Sequence, residues 1–218
     1  HGFLLNMEDY PFYSNFNNYP TAQLPTGLFK SSSGIKALVS EFEARGCDVV
    51  LTGQGGDTLF VDEIRSLEKL KFNIDDEFIC HEERDLFYSP RKISLISFYA
   101  HRPIINVISN ARIGRTIDPL KIWARNWFKD FLPRELVEYS YCADFQARTM
   151  WGLEEAKPTI KKLMDQAGEY LKHPLFYKKN INRFINKDVF AFEPSEYILF
   201  CSSLAIAVWV NSLLNYEE

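Results

Sequence analysis

Glycine and cysteine are both scarce in this sequence, with 10 and 4 residues among 218. Cys47, Cys80, Cys142 and Cys201 lie far apart with no Cys-x-x-Cys pair, and only His81 adjoins one of them. Such spacing suits neither a structural zinc site nor a small disulfide scaffold, so reduced thiols in a cytoplasmic protein are expected. Positive charge is not in excess either. The 25 Lys and Arg against 29 Asp and Glu give a net charge of −4, which argues against a nucleic-acid surface. The opening "HGFLLNMEDYPFY" has no basic region followed by an apolar one and a cleavage site, so no targeting segment is read there. Its first residue is His, which suits a fragment or a processed chain. One long uncharged run, from Tyr197 to Leu214, approaches membrane length, but Ser202, Ser203, Asn211 and Ser212 interrupt it and no basic cluster flanks it. A packed helix is expected there, and no membrane partner.

What is present is an ordinary globular composition, 46% hydrophobic and 25% charged, large enough for one domain or a compact pair. Aromatics are plentiful, 18 Phe and 11 Tyr, which points to a dense core or a broad partner surface. Residues 1–30 are rich in Asn, Tyr and Pro and read as a looping entry segment. "SSSGIKALVSEFEARG" reads as a helix begun by a serine cap and ended by Gly46 in the left-handed conformation. "CDVVLT" then reads as a short strand of the kind buried on both faces in a parallel sheet.

Beyond Phe60 the pattern is helical. "VDEIRSLEKLKF" and "RKISLISFYAHRPIINVISN" carry apolar residues at intervals of three and four, the second divided at Pro103. An aromatic stretch runs from Trp123 to Tyr141, as core packing or as the lining of an acceptor pocket. "GLEEAKPTIKKLMDQAGEYLKH" reads as a solvent-facing amphipathic helix with Pro158 near its start, and the last helix follows Pro194 with Ser195 as cap. The expected fold is therefore α/β but predominantly helical, with residues 1–60 ending a sheet region and residues 61–218 forming a helical region.

Three of the ten glycines fall within four positions, in "VVLTGQGGDTLF". Gly53, Gly55 and Gly56 follow the strand at the rim where ligands of parallel sheets bind, and they let a phosphate approach without a Cβ in the way. Asp57 can hold Mg²⁺, a hard cation that takes one or two carboxylates plus phosphate oxygens. The plainer reading makes the glycines a tight strand-to-helix turn and Asp57 its N-cap. The motif is neither a Walker loop nor the dinucleotide fingerprint.

The segment resembles the C-terminal signature of the asparagine synthetase family, where a strand runs into a Gly-acid-Gly-small-Asp turn. "YPTAQLPTGLF" is similar to that family's proline-containing approach segment, and "FLPRELVEYSYCADF" resembles its "LP" helix and following loop. The resemblance covers the chain from about Tyr19 onward. It implies the distal part of an adenine-nucleotide-hydrolase-like parallel sheet domain with a C-terminal helical bundle. It also implies ATP-dependent amide formation: a carboxylate of an amino acid or peptide is adenylated, pyrophosphate leaves, and an amine or ammonia attacks. By matched position, Gly53, Gly55, Gly56 and Asp57 would bind ATP, and Asp57 its Mg²⁺. Gln54 and Tyr141 would occupy catalytic positions.

The departures bear on the same positions. The family's Ser-Gly-Gly-x-Asp-Ser loop is absent, so the missing N-terminal portion of the same protein is an expected partner. Gln54 stands where asparagine synthetases have an acid, Thr58 where they have glutamate, and Tyr141 where they keep a lysine. Lys121 or Lys129 could supply that cation. In the run "HEERD", Glu82, Glu83 and Asp85 lie at the distance where β-lactam synthetase relatives place an acid that partners a base; the plainer reading of the charge run is a surface loop or helix. His101 and His173 fit no triad or metal spacing. Two other readings stand beside the amide ligase: a degenerate member serving as a binding or scaffold module, and an unrelated α/β nucleotide binder that draws further strands from within this chain.

Overall fold

The computed structural model describes residues 3, 5–15, 19–60, 78–113, 117, 118, 121–138 and 146–215, without the side chains of residues 7, 57, 58, 78–80, 136 and 146. The expected helix at 61–72, with Asp62 and Glu63, lies outside the described residues, as does Tyr141. In chain order the helices are α1 (Ser32–Ala44), α2 (Gly56–Phe60), α3 (Phe78–Glu83), α4 (Arg102–Arg112), α5 (Ile122–Trp127), α6 (Arg134–Val137), α7 (Gln146–Leu171), α8 (Lys178–Asn186) and α9 (Pro194–Leu214). The strands are β1 (Val49–Thr52) and β2 (Ser94–Ser97). The described chain is thus mostly helical with a small parallel sheet. It forms two compact units that interleave in sequence, one of residues 1–46, 85–91 and 145–218, the other of residues 47–84 and 92–144.

In the first unit, α7 packs along α9. Leu153, Ile160, Leu163, Met164 and Ala167 of α7 are buried at helical spacing, and Phe200, Leu204, Ala207 and Val208 of α9 form the matching stripe. α9 is long and apolar enough to cross a membrane by length and composition, and about half of it is buried within the protein. Its N-cap is Glu193, which forms a reciprocal capping box with Glu196, rather than the expected Ser195. Pro194 occupies the first helical position, where its missing N–H costs nothing.

α7 begins earlier than the amphipathic pattern suggested, so Pro158 is inside the helix and not near its start. It sits on the exposed face, where water can satisfy the carbonyl it leaves without a donor. Gly152 permits a close approach, because a Cβ there would stand 2.6 Å from the Phe12 carbonyl oxygen. The entry segment is tied down by hydrogen bonds from Trp209 Nε1 to the Ala22 carbonyl (2.9 Å) and from Thr21 Oγ1 to the Ser212 carbonyl (3.1 Å). Tyr13 is buried against Phe29 and its hydroxyl meets that of Tyr197 at 3.4 Å, and burial raises its pKa far above the phenol range. Gly46 ends α1 at φ +68°, as expected. The Ser31 hydroxyl turns back to the Leu28 carbonyl instead of capping that helix.

The second unit holds the sheet. β1 and β2 pair in parallel with Val50 opposite Leu95 and Thr52 opposite Ser97. β2 corrects the helical reading of "RKISLISFYAHRPIINVISN". The α-helix begins only at Arg102, after a short 3-10 turn at Phe98–Ala100, while "SLIS" pairs with β1. β1 is also not buried on both faces. Val49 and Leu51 are 54% and 65% exposed, while Val50 and Thr52 on the other face are half-buried. The apolar core is built from Leu59 and Phe60 of α2, Ile105 and Ile108 of α4 and Ala124 of α5, with Tyr99 and Trp123 packed against it.

Candidate functional site

The glycine turn leaves β1 at its carboxyl end. Gly55 adopts φ +83°, a left-handed conformation that a side chain disfavours, and the Gly56 N–H donates to the Gly53 carbonyl at 3.1 Å. α2 follows at once, with Asp57 as its second residue, inside the helix rather than at its cap. The helix is anchored at its far end. Leu59 and Phe60 are buried in the core, and the fully buried Arg112 of α4 donates from Nη1 to the Leu59 carbonyl. Its guanidinium also lies over the Trp123 ring, 5.7 Å from the centroid.

The glycines play separate parts. At Gly56 a Cβ would come within 3.2 Å of the Tyr99 ring, so aromatic packing accounts for glycine there. At Gly53 such a Cβ would stand 4.0 Å from the Tyr99 ring, an ordinary contact, so packing among the described residues does not itself require glycine there.

Gln54 is the most connected residue of the turn. Its N–H donates to Thr52 Oγ1 at 3.3 Å and its carbonyl accepts from Ser97 Oγ at 2.9 Å, which ties the turn across both strand ends. Its side-chain Nε2 donates to Glu83 Oε2 at 2.6 Å, while its Oε1 is buried with no hydrogen-bond partner among the described residues. Burial raises the Glu83 pKa above the usual carboxyl value, and the Gln54 hydrogen bond offsets part of that rise. Glu83 is the last residue of α3, beyond which the chain widens into a π turn over Arg84–Tyr88. A carboxyl near a glycine turn that favours its protonated form is a group suited to proton transfer.

Of the residues singled out in the sequence, the structure joins Gln54 to the "HEERD" run through Glu83 and leaves Gly53, Gly55, Gly56 and Asp57 contiguous at the strand end. Tyr141 lies outside the described residues, so its expected role gains no geometry. Lys121 caps α5 in a left-handed conformation, and Lys129 is exposed beyond it. The aromatic stretch divides: Trp123 packs on Phe60, while Trp127 and Phe131 are exposed.

A cavity of about 490 Å³ opens beside the carboxyl ends of the two strands, with Thr52 and Ser97 in its wall. His81 and His101 also line it, a pairing no local motif signals, since β2 separates them in the chain. Among the described residues no group of three or more His, Cys, Asp or Glu is placed to hold a metal by itself. Comparison of the chain with protein-family models, with curated proteins and with solved structures finds no match.

Proposed function

We propose that this chain is the distal, synthetase portion of an ATP-dependent amide ligase of the asparagine synthetase type, acting on the carboxylate of an amino acid or peptide. The observation that carries the reading is the 2.6 Å contact between Gln54 and Glu83. A glutamine in the turn cannot take a proton. Glu83, 29 residues further on, brings a carboxyl to the same place, and its raised pKa suits it to receive the proton of an attacking amine. Gln54 is then the positioning residue that orients that carboxyl.

Mg-ATP fits the donor chemistry of the turn, with a left-handed Gly55 in the backbone after the strand and a carboxylate residue, Asp57, at the start of α2. When bound, it supplies the activated phosphorus and the pyrophosphate leaving group. Gly53 and Gly55 would let the backbone come near the phosphates, and Asp57 would hold the metal. The sequence carries no Ser-Gly-Gly-x-Asp-Ser loop, so the reading assigns the main phosphate cradle to chain outside residues 1–218.

The second reading, a binding or scaffold module, rests on Gln54, Thr58 and Tyr141 standing where the family keeps charged groups. Carboxylate-dependent exchange of labelled pyrophosphate into ATP by the intact protein separates the two. Exchange is expected, and Asp57→Asn should reduce it by at least about tenfold without changing the circular dichroism spectrum. Undiminished exchange in that variant removes Asp57 from the site, and no exchange in the parent protein favours the scaffold.

A further inference from the structure

The cavity beside the strand ends has a mixed lining. His81, Arg84 and His101 contribute basic and hydrogen-bonding groups to it, and Leu95, Phe98 and Ile104 contribute hydrocarbon. His101 is also the N-cap of α4, and Ile104 belongs to its first turn, so the positive end of an 11-residue helix borders the cavity. A guanidinium remains charged at any working pH, and imidazoles donate hydrogen bonds to acidic oxygens. At about 490 Å³ the cavity falls within the range that holds a small organic ligand.

We propose that this cavity binds an organic acid with an apolar body, its carboxylate held by His81, Arg84 and His101 and its apolar part against Leu95, Phe98 and Ile104. Its identification as the pocket for the acid to be activated rests on the amide-ligase reading; the binding does not. The position supports that identification. Thr52 and Ser97 belong to both the cavity wall and the hydrogen bonds that fix Gln54, so an acid bound here lies next to the glycine turn. The specificity that follows is for an apolar side chain, since Leu95, Phe98 and Ile104 offer it hydrocarbon.

The test uses 3-phenylpropionate as probe, with 3-phenylpropanamide and AMP as comparisons, on the intact protein. Titration followed by two-bond proton–nitrogen correlations of the imidazoles should shift His81 and His101 and leave His173, in the other unit, unmoved. The uncharged amide should bind at least about tenfold more weakly, as expected for loss of a charge-assisted hydrogen bond. His101→Gln and Phe98→Ala should each weaken the acid about tenfold; both residues are exposed, so neither change threatens the core. Equal binding of amide and acid, shifts at His173 alone, or unchanged affinity in both variants overturns the proposal. Displacement of the probe by AMP assigns the cavity to nucleotide and overturns it as well. Probe binding without pyrophosphate exchange leaves the cavity intact and fails the ligase reading. Exchange whose acid KM is indifferent to both variants does the reverse.

Discussion

Glu83→Gln should lower amide formation by about a hundredfold to ten-thousandfold, the usual contribution of a positioned acid–base group, while leaving pyrophosphate exchange within a few fold of the parent. The split follows from where the proton goes. On the amide-ligase reading, exchange needs only the acid, the nucleotide and the metal. Attack by an amine must also release a proton, and Glu83 is the carboxyl that the turn holds in place through Gln54. The glutamine preserves an acceptor for Gln54 Nε2, so geometry is retained and only the ionisable group is lost.

The pH dependence is fixed in sign by the same burial. Carboxylate is the form that accepts a proton, so amide formation should rise with pH as Glu83 ionises, above the ordinary 4.5, and that rise should vanish in the variant. Stability runs the other way. A raised folded-state pKa means that the stabilising contribution of neutral Glu83 is present below the unfolded value and is lost as pH climbs through the folded one. The variant should therefore be no less stable than the parent at neutral pH. Equal loss of exchange and of amide formation would instead give Glu83 a structural part.

Arg112→Ala should destabilise the unit that carries the site by about 2–4 kcal/mol, the scale for leaving a buried carbonyl without its donor and opening space beside a core. The side chain is 1% exposed, lies over Trp123 and bonds the carbonyl of Leu59 in α2. Its removal leaves that carbonyl buried without its donor and opens space against the core formed by Leu59, Ile105 and Ile108. Arg112→Met should cost less, because the aliphatic stem refills part of the space. Denaturant unfolding followed by tryptophan fluorescence measures both. A loss below about 1 kcal/mol in the alanine variant would place the guanidinium outside the set of groups that hold α2.

Local features of the fold were legible in the sequence, and features that depend on distant partners were not. β1, the left-handed Gly46 and the glycine turn follow from short-range rules, a β-branched run and residues that tolerate positive φ. β2 escaped because "SLIS" sits among apolar residues spaced like a helix, and it becomes a strand by pairing with β1. The exposure of Val49 and Leu51 could not be read from an apolar run, which looks the same whether one face or two are covered. At the N-terminus of α9, Ser195 and Glu193 both flank the proline, and only the reciprocal bonds of Glu193 and Glu196 decide between them.

The site divides in the same way. Gly53 to Asp57 are contiguous and were visible as a motif. Glu83 was singled out only through the resemblance to β-lactam synthetase relatives, and its contact with Gln54 needs the fold. His81 and His101 line a cavity to which β1, α3, β2 and α4 all contribute residues, so no window of sequence contains the signal.

The most direct measurement is phosphorus NMR of the intact protein turning over Mg-ATP with an apolar organic acid and an amine. The account predicts AMP and inorganic pyrophosphate appearing in step with amide. Formation of ADP and phosphate, or no nucleotide turnover with any such acid, would contradict it.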